Sequence, residues 1–193
     1  MPHLDPDSDE ALAAAAAQGS RAAFEELVER FGGSVVALIE RRIGDHHTAM
    51  DLAQEAWVRT FRALSLYDAN RSFRSWLFSI VLNVARDEGR RRERNRVISL
   101  DDHRDSLAVK DASEQMEDRD LIDDSLGQVS EPFRTAMVLV DIEGLNYEEA
   151  AECLGCAVGT VKSRVNRGRL AFRDSWLRQS GKQAQELNVR GQL

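Results

Sequence analysis

The stretch from Asn146 to Phe172 is the feature that most constrains how this chain folds. Asn146 is followed three residues later by Glu149, which is the pattern of a capping box at the start of a helix. Gly155 supplies the backbone freedom that ends such a helix, and a second helix is predicted to begin near Val158. The sequence therefore predicts a helix, a tight turn and a second helix, which together form a helix-turn-helix.

The second helix of this motif has two chemically different sides. Its apolar residues recur at steps of three and four and predict a packed side. They are Val158, Val161, Val165, Phe172 and Trp176. Its basic residues have no acid between them and predict a side that meets a polyanion. They are Lys162, Arg164, Arg167, Arg169 and Arg173. The alternative interpretation is a solvated basic helix on an ordinary bundle.

The charge of the chain is unevenly distributed. A net charge of −7 over 193 residues argues by itself against a nucleic-acid binder. However, the stretch from Asp101 to Asp124 holds ten acidic residues against three basic ones, which leaves the rest of the chain neutral overall. Basic runs then stand out over 86–96 and 162–173, so the local distribution is more informative than the total.

The composition predicts an all-α fold of two small helical domains joined by a flexible acidic linker. Helix formers dominate, prolines number three, and no sustained alternation of apolar and polar residues predicts a strand. The predicted segments are a flexible N-terminus over 1–9, a first domain over 10–96, the linker over 97–116, a helix-turn-helix domain over 117–178 and a polar tail over 179–193. The linker has too little apolar surface to fold alone.

The first domain is predicted to open with a short helix over 7–18 and a long helix that kinks or breaks at Gly32-Gly33 and ends at Gly44. Thr48 or Asp51 is expected to open the next helix. The residues of that helix predicted to face the core are Leu52, Ala56, Phe61 and Leu64.

A further helix is predicted from a cap at Ser72 to about Arg94. Its predicted buried stripe is Phe73, Trp76, Leu77, Ile80, Val81 and Val84. Its predicted polar face, which becomes basic toward its end, is Ser75, Ser79, Asn83, Arg86 and Arg90. In the second domain, helical pattern resumes at Glu117, and Pro132 marks a first helical turn. The domain is therefore expected to be a short bundle of four helices.

Cys153 and Cys156 form a single CxxC pair without a second pair or suitably spaced histidines to complete four metal ligands. We interpret them as small buried residues at the turn, with a redox or zinc switch as the alternative. No metal, cofactor or catalytic residue is expected.

The acidic N-terminus does not resemble a secretory signal, and no apolar run approaches the ~20 residues of a membrane span. A cytoplasmic protein without membrane insertion is expected.

Three stretches in this order resemble the signatures of bacterial extracytoplasmic-function (ECF, group 4) sigma factors of the sigma-70 family. They are DLAQEAWVRTFRAL, RSFRSWLFSIVLNVARDEGRRR and LNYEEAAECLGCAVGTVKSRVNRGR. The resemblance implies a region 2-like domain followed by a region 4-like domain. It also implies binding to core RNA polymerase at the β′ clamp and the β flap, recognition of −35 and −10 promoter DNA, and strand opening for transcription initiation. Such proteins are usually held inactive by an anti-sigma factor and are not enzymes.

The resemblance also implies roles for individual residues. Core polymerase is expected at Asp51, Gln54, Glu55 and Arg62. The −10 element is expected at Asp68, Asn70, Arg71, Asn83, Arg86 and Arg90, in a loop over 65–72 and on the helix after it. The −35 bases are expected at Lys162, Ser163, Asn166 and Arg167, and the −35 backbone at Thr160, Arg164 and Arg169. Arginines 90, 91, 92, 94 and 96 are expected to hold phosphates.

Two other function classes remain open from the residues alone. A conventional helix-turn-helix regulator would use the first domain as a sensor or dimerisation unit and would bind duplex DNA without polymerase. A redox or metal sensor, or an enzyme of that kind, would work through Cys153 and Cys156, although the sequence offers no phosphate loop and no catalytic constellation.

Overall fold

The computed structural model describes residue 5 and the ranges 7–98 and 114–190. Over these ranges the chain is helical and contains no strand, which confirms the predicted all-α class. None of the helices described is long and apolar enough to cross a membrane. The helices form an N-terminal body up to residue 98 and a C-terminal body from residue 114.

The N-terminal body consists of four helices, each started by a local signal. They are α1 (Asp9–Ala17), α2 (Arg21–Ile43), α3 (His46–Ala63) and α4 (Phe73–Ile98), with a 3-10 turn at Leu64–Leu66 between the last two. The side chains of Ser8, Ser20 and Asp45 each accept a hydrogen bond from the amide three residues on, which satisfies a helix-terminal donor. These caps set where α1, α2 and α3 begin.

The C-terminal body consists of four further helices and a short π-helical turn. They are α5 (Glu114–Gly127), α6 (Glu131–Met137), α7 (Tyr147–Leu154) and α8 (Val158–Arg190), with the π turn at Val138–Ile142 after α6. Pro132 lies in the first turn of α6, as predicted. The expected bundle of four helices is confirmed, whereas the π turn was not predicted.

One buried apolar cluster runs through both bodies. In the N-terminal body, Phe31 of α2 packs edge-on against Phe73 and Phe78 of α4, with ring centroids 5.8 and 6.4 Å apart. In the C-terminal body, Val161 and Val165 of α8 are buried and belong to the same cluster. The two bodies meet mainly where the start of α4 packs against α7. They are therefore in direct contact.

Several predicted helix boundaries are corrected. Helix α2 is continuous through Gly32-Gly33, because a helical glycine costs only about 1 kcal/mol and the apolar stripe of α2 is buried on both sides of the pair. Helix α3 begins at His46 with Asp45 as its cap, so the start expected at Thr48 or Asp51 is wrong. Helices α4 and α5 extend into the two ends of the predicted linker, and residues 99–113 lie outside the described ranges. Helix α8 runs to Arg190, so most of the predicted polar tail is helical.

Two predicted side-chain environments are also wrong. Phe61 was expected in the core but is 59% exposed, and its ring packs edge-on against Phe24 at a centroid distance of 5.1 Å. Ser75 was expected on a polar face but is 4% exposed, because α7 covers that side of α4. Phe78, Leu82 and Ala85 are buried for a related reason, since α4 packs against helices of both bodies. A single buried stripe therefore underestimates the core contribution of α4.

Candidate nucleic-acid interface

The helix-turn-helix has the geometry that its sequence predicts. Asn146 Oδ1 accepts from the Glu149 amide and Glu149 Oε2 accepts from the Asn146 amide, both at 2.9 Å, which completes the capping box. Gly155 has a φ of 61° and ends α7 in the left-handed conformation that favours glycine. Helix α8 then begins at Val158.

Helix α8 is held against α6 by a close approach that sequence reasoning missed. A Cβ placed on Gly168 would lie 2.8 Å from the carbonyl oxygen of Phe133, which is closer than real Cβ atoms come. Glycine is therefore required there for the two helix backbones to pack. The sequence did offer a signal for this close approach. Gly168 lies inside the predicted helix, two residues after the predicted base-contacting residue Asn166, and an interior helix glycine generally has a packing or functional reason.

The four residues predicted to contact −35 bases share one exposed face of α8. They are Lys162, Ser163, Asn166 and Arg167. Lys162 Nζ lies 5.5 Å from the ring centroid of Tyr147, and the guanidinium of Arg167 lies 5.6 Å from that of Phe133. These cation–π contacts steer the two cations without removing them from solvent. The face opposite Val161 and Val165 is thus polar, basic and accessible.

The three residues predicted to contact the −35 backbone lie in less uniform surroundings. Thr160 is half-buried, and Arg164 is half-buried with Nη1 3.8 Å from Cys156 Sγ. Arg169 donates two hydrogen bonds to the Asp141 carboxylate, at 2.9 and 2.5 Å, and these bonds raise the pKa of its guanidinium. A DNA phosphate would therefore compete with Asp141, which lies in the π turn, for the guanidinium of Arg169. The sequence alone did not reveal this pair.

The loop over 65–72 is ordered by its own hydrogen bonds. Asp68 Oδ1 accepts from the Asn70 amide at 3.0 Å and from the Asn70 side chain at 2.8 Å, and these bonds lower the pKa of Asp68. The Tyr67 hydroxyl donates to the carbonyl of Arg71 at 2.6 Å, and its half-buried ring packs against Trp76 and Phe73. Trp76 thus packs in an aromatic cluster beneath the loop, with part of its surface exposed.

Arg71, at the end of this loop, forms an ion pair with the other body. Its Nη2 lies 2.6 Å from Oε2 of Glu152 on α7. The pair joins residues 81 positions apart in the chain. No local pattern indicates such a contact, and it links a predicted −10 residue to the helix-turn-helix.

The remaining predicted −10 residues follow the exposed side of α4. Asn83 accepts a hydrogen bond from Arg86 Nη1 at 2.9 Å, and Arg90 is exposed one turn further on. Two of the expected phosphate-binding arginines, Arg91 and Arg92, instead pair with the buried carboxylate of Glu88, at 2.7 and 3.0 Å. Their spacing from Glu88, three and four residues, is the signal that could have predicted this.

The four residues predicted to contact polymerase form an exposed stripe along α3. They are Asp51, Gln54, Glu55 and Arg62. Glu55 is paired with Arg59, whose Nη1 also lies 3.2 Å from Asp87 of α4. Val58, in the middle of the stripe, is 47% exposed, and next to it Phe24, Phe61 and Leu64 line a groove of about 650 Å³. Sequence reasoning missed the apolar share of this surface because it assigned Phe61 to the core.

The two cysteines occupy different environments. Cys153 is buried, its thiol donates to the carbonyl of Ser75 at 3.0 Å, and burial raises its pKa to about 11. Cys156 is half-buried, and the described residues contain no cluster of three or more potential metal ligands. A thiol with a raised pKa is a poor nucleophile and metal ligand, which favours the structural interpretation of Cys153.

Comparison with known proteins agrees with this arrangement. Residues 27–95 match Sigma-70 region 2, and residues 119–172 match Sigma-70, region 4. The chain is 34% identical to the ECF RNA polymerase sigma factor SigE of Mycolicibacterium smegmatis, over 95% of this chain and 73% of the relative. It is 34% identical to the RNA polymerase sigma-H factor of Pseudomonas aeruginosa, over 88% of this chain and 94% of the relative.

Solved structures give the same result. The sigma factor RpoE, in complex with the anti-sigma factor NepR from Bartonella quintana, matches with a TM-score of 0.71 and 27% identity over 79% of this chain and 95% of that one. CnrH, in complex with the cytosolic domain of CnrY, matches with a TM-score of 0.62 and 32% identity over 87% and 96%. The chain is therefore a sigma factor of the sigma-70 family, and it belongs to the extracytoplasmic-function (ECF) group of that family.

Proposed function

We propose that this ECF sigma factor joins core RNA polymerase, recognises −35 and −10 promoter elements and promotes strand opening. The observation that carries this proposal is the exposed face of α8, the second helix of the helix-turn-helix. Lys162, Asn166 and Arg167 project from this face, and the first helix of the motif is fixed by its capping box. Arginine and lysine donate to guanine O6 and N7, and asparagine pairs with the edge of adenine, so this face has the chemistry of major-groove reading.

The −10 role is proposed for the loop over 65–72 and the exposed side of α4. Asp68 and Asn70 offer polar groups at the loop, with Tyr67 and Trp76 packed beneath it. Capture of an unstacked base costs a few kcal/mol of stacking, which a pocket recovers only when the base fits. Asn83, Arg86 and Arg90 lie along α4, so a strand leaving the loop would meet polar and then basic groups.

For core polymerase we propose the stripe on α3 together with its apolar neighbours. Asp51, Gln54, Glu55 and Arg62 supply charged and polar contacts, and Val58 and Phe61 add exposed apolar area. Interfaces commonly combine an apolar centre with a polar rim, which fits this mixture. An anti-sigma factor is a further proposed partner, because the similar sigma factor RpoE was solved in complex with one.

The chain is proposed to contribute binding and no catalysis of its own, and to act in the cytoplasm, where core polymerase and promoter DNA are found. The test is transcription in vitro with purified core polymerase and a promoter library. We expect promoter-dependent transcripts only when both proteins are present. Specific duplex binding by the chain alone, without any transcript from the mixture, would instead favour a conventional regulator.

A change on α3 separates polymerase binding from folding. Gln54→Ala combined with Glu55→Arg is expected to weaken assembly with core polymerase, while the circular dichroism spectrum and melting temperature stay nearly unchanged because both side chains are exposed. Glu26→Arg on α2, another acid in an i,i+4 pair and one that does not line the groove, is the matched control. Unaltered co-purification of the α3 variant with core polymerase would contradict the assignment.

A further inference from the structure

Helix α1 lies outside the part of the chain that matches Sigma-70 region 2. It spans Asp9–Ala17, whereas the match begins at residue 27. Its small side chains Ala13 and Ala16 are buried, because α1 packs against α2 and also contacts the 3-10 turn and α4. None of the residues proposed to contact DNA or polymerase lies in α1. Helix α1 is therefore a neighbour of the proposed −10 loop that has no assigned role.

Glu10 of α1 forms a hydrogen bond with the residue that directly follows the loop. Its Oε1 accepts from the Phe73 amide at 3.1 Å, and the two residues are 63 positions apart in the chain. Phe73 is the first residue of α4, so its amide is one of the donors that have no partner inside the helix. A carboxylate at this end of a helix also interacts favourably with the helix dipole. Glu10 is therefore a cap of α4 that another helix supplies.

This cap differs from the local cap of the same helix. Ser72 Oγ accepts from the Ser75 amide at 3.3 Å, which satisfies a second donor of the first turn. The serine cap acts between neighbours in the chain and determines where α4 begins. The cap from Glu10 instead holds the start of α4 against α1, which is itself packed on α2. The end of the loop is thus tied to the rest of the N-terminal body.

Phe73 connects this restraint to the loop. Its side chain is fully buried, and its ring centroid lies 5.6 Å from that of Tyr67 and 5.8 Å from that of Trp76. The Tyr67 hydroxyl donates to the carbonyl of Arg71 at 2.6 Å. Burial raises the pKa of Tyr67 and the nearby carboxylate of Glu10 raises it further, so the hydroxyl stays protonated and able to donate. Glu10 therefore lies at the base of an aromatic cluster that supports the loop near both of its ends.

We propose that Glu10 is a positioning residue for recognition of the −10 element. It does not touch DNA in this role, but holds Phe73 and the aromatic cluster in the arrangement in which the loop presents Asp68 and Asn70. A pocket recovers the cost of unstacking a base only when the base fits, so a displaced pocket discriminates less between bases. The role in base recognition rests on the proposed function, whereas the cap itself does not.

Two substitutions at Glu10 test the cap in the full chain. Glu10→Ala removes the acceptor, whereas Glu10→Gln keeps a side-chain carbonyl oxygen that can accept from the Phe73 amide. Glu29→Ala, at an exposed acid of α2, is the matched control. Amide hydrogen exchange followed by NMR measures the cap without DNA. We expect exchange at Phe73 to become about two- to ten-fold faster in Glu10→Ala, the shift that loss of one hydrogen bond causes, and to stay unchanged in the other two variants.

Transcription with holoenzyme tests the positioning role. Promoters that differ at one −10 base, and others that differ at one −35 base, are compared for each protein. A lower folded fraction reduces transcription from every promoter by the same factor, so it leaves the ratio between promoters unchanged. We expect Glu10→Ala to lower the −10 discrimination ratio by about two- to ten-fold and to leave the −35 ratio as it is. Glu10→Gln should restore −10 discrimination, and Glu29→Ala should keep both ratios.

The possible failures are distinguishable. Unchanged exchange at Phe73 in Glu10→Ala would overturn the cap. Faster exchange without a loss of −10 discrimination, or with an equal loss at −35, would overturn the positioning role. A loss in Glu10→Gln as large as in Glu10→Ala would overturn the hydrogen bond as its cause. A lack of promoter-dependent transcription by the unsubstituted holoenzyme would overturn the proposed function and the role of Glu10 in base recognition with it, whereas the exchange result for the cap would stand.

Discussion

Helices α4 and α8 both carry proposed DNA-contacting residues, but they use their surfaces differently. Helix α8 buries one stripe, including Val161 and Val165, and leaves its basic face open to solvent. The first half of α4 is buried on several sides, because α2 and α3 pack on one side and α7 packs on another. On α8 the packed stripe faces away from a broad exposed basic face, whereas on α4 the proposed DNA-contacting residues are confined to the narrower side that stays exposed.

The polar side chains of the two helices differ in the same way. On α4, Asn83 is hydrogen-bonded to Arg86, while Arg91 and Arg92 are paired with Glu88. On α8, the side chain of Asn166 makes no hydrogen bond within the described part of the chain, and Lys162 and Arg167 rest against aromatic rings. The polar groups of the proposed duplex-reading face on α8 are thus available for binding, whereas several groups on α4 would have to exchange partners before they could contact DNA.

The largest expected effect tests the packing half of this comparison. Leu77→Ala in α4 should lower the free energy of unfolding by about 2–5 kcal/mol, because Leu77 is fully buried and its loss leaves a cavity. Leu170→Ala, the same change at a 45% exposed position of α8, should cost less than about 1 kcal/mol. Urea denaturation followed by circular dichroism measures both. Similar losses of unfolding free energy at the two positions would contradict the difference in burial between Leu77 and Leu170.

The next effect concerns the contact of α4 with α7 and depends on pH. Burial raises the pKa of the Cys153 thiol to about 11, above the ~8.5 of an unfolded chain, so folding favours the protonated form. This stabilisation is complete below pH ~8.5 and is lost as pH rises toward 11, a change of about 2–3 kcal/mol.

The measurement for this prediction is the free energy of unfolding at several pH values between 8 and 11. Cys153→Ser is the control, since its hydroxyl can still donate to Ser75 but does not titrate in this range. Lysine and tyrosine titration is common to both proteins and cancels in their difference. Parallel pH profiles would show that the Cys153 thiol is not held protonated by the fold.

A third prediction tests how closely α8 must approach α6. Gly168→Ala should destabilise the chain by about 1–3 kcal/mol, because its Cβ would meet the Phe133 carbonyl at 2.8 Å. Gly159→Ala in the same helix has nothing within 4 Å and should be neutral or stabilising by up to about 1 kcal/mol. The melting temperatures of the two variants should shift in opposite directions, or Gly168→Ala should lower the melting temperature clearly more than Gly159→Ala. Equal shifts would remove the argument for close packing.

The last prediction concerns DNA binding and separates base reading from charge on α8. Arg167→Ala should cost about 1–3 kcal/mol on the preferred −35 sequence and relax discrimination at one base pair. Arg169→Ala should weaken all sequences about equally and reduce the salt slope by about one, because Arg169 is proposed to contact backbone. Base discrimination is measured with holoenzyme at fixed salt, and the salt slope is measured with holoenzyme over a series of salt concentrations. A uniform loss across −35 variants for Arg167→Ala would make that residue a phosphate contact.

What the sequence predicted correctly rests on local signals. The capping box of Asn146 with Glu149, the left-handed Gly155 and the cap of α4 at Ser72 each depend on residues a few positions apart. Such signals act within one turn of helix and are readable without the fold. The all-α class and the order of the helices follow from them.

What the sequence could not predict depends on partners far apart in the chain. The pair of Arg71 and Glu152, the burial of Ser75 and the contact of Arg169 with Asp141 all require the packing of separate helices. Phe61 was misplaced for a related reason, because helical spacing gives a face but not whether another element covers it. The roles of individual residues toward DNA and polymerase stay predictions.

The contact of α4 with α7 joins parts of one polypeptide, and this changes how a competitor acts on it. Tethered partners meet at an effective concentration of the order of millimolar, which dilution does not lower. The apparent affinity of a molecule that competes for the surface of α7 is therefore reduced by the fraction of chains in which Arg71 and its neighbours already occupy that surface. A partner that grips both bodies at once escapes this limit, since its second contact is intramolecular as well.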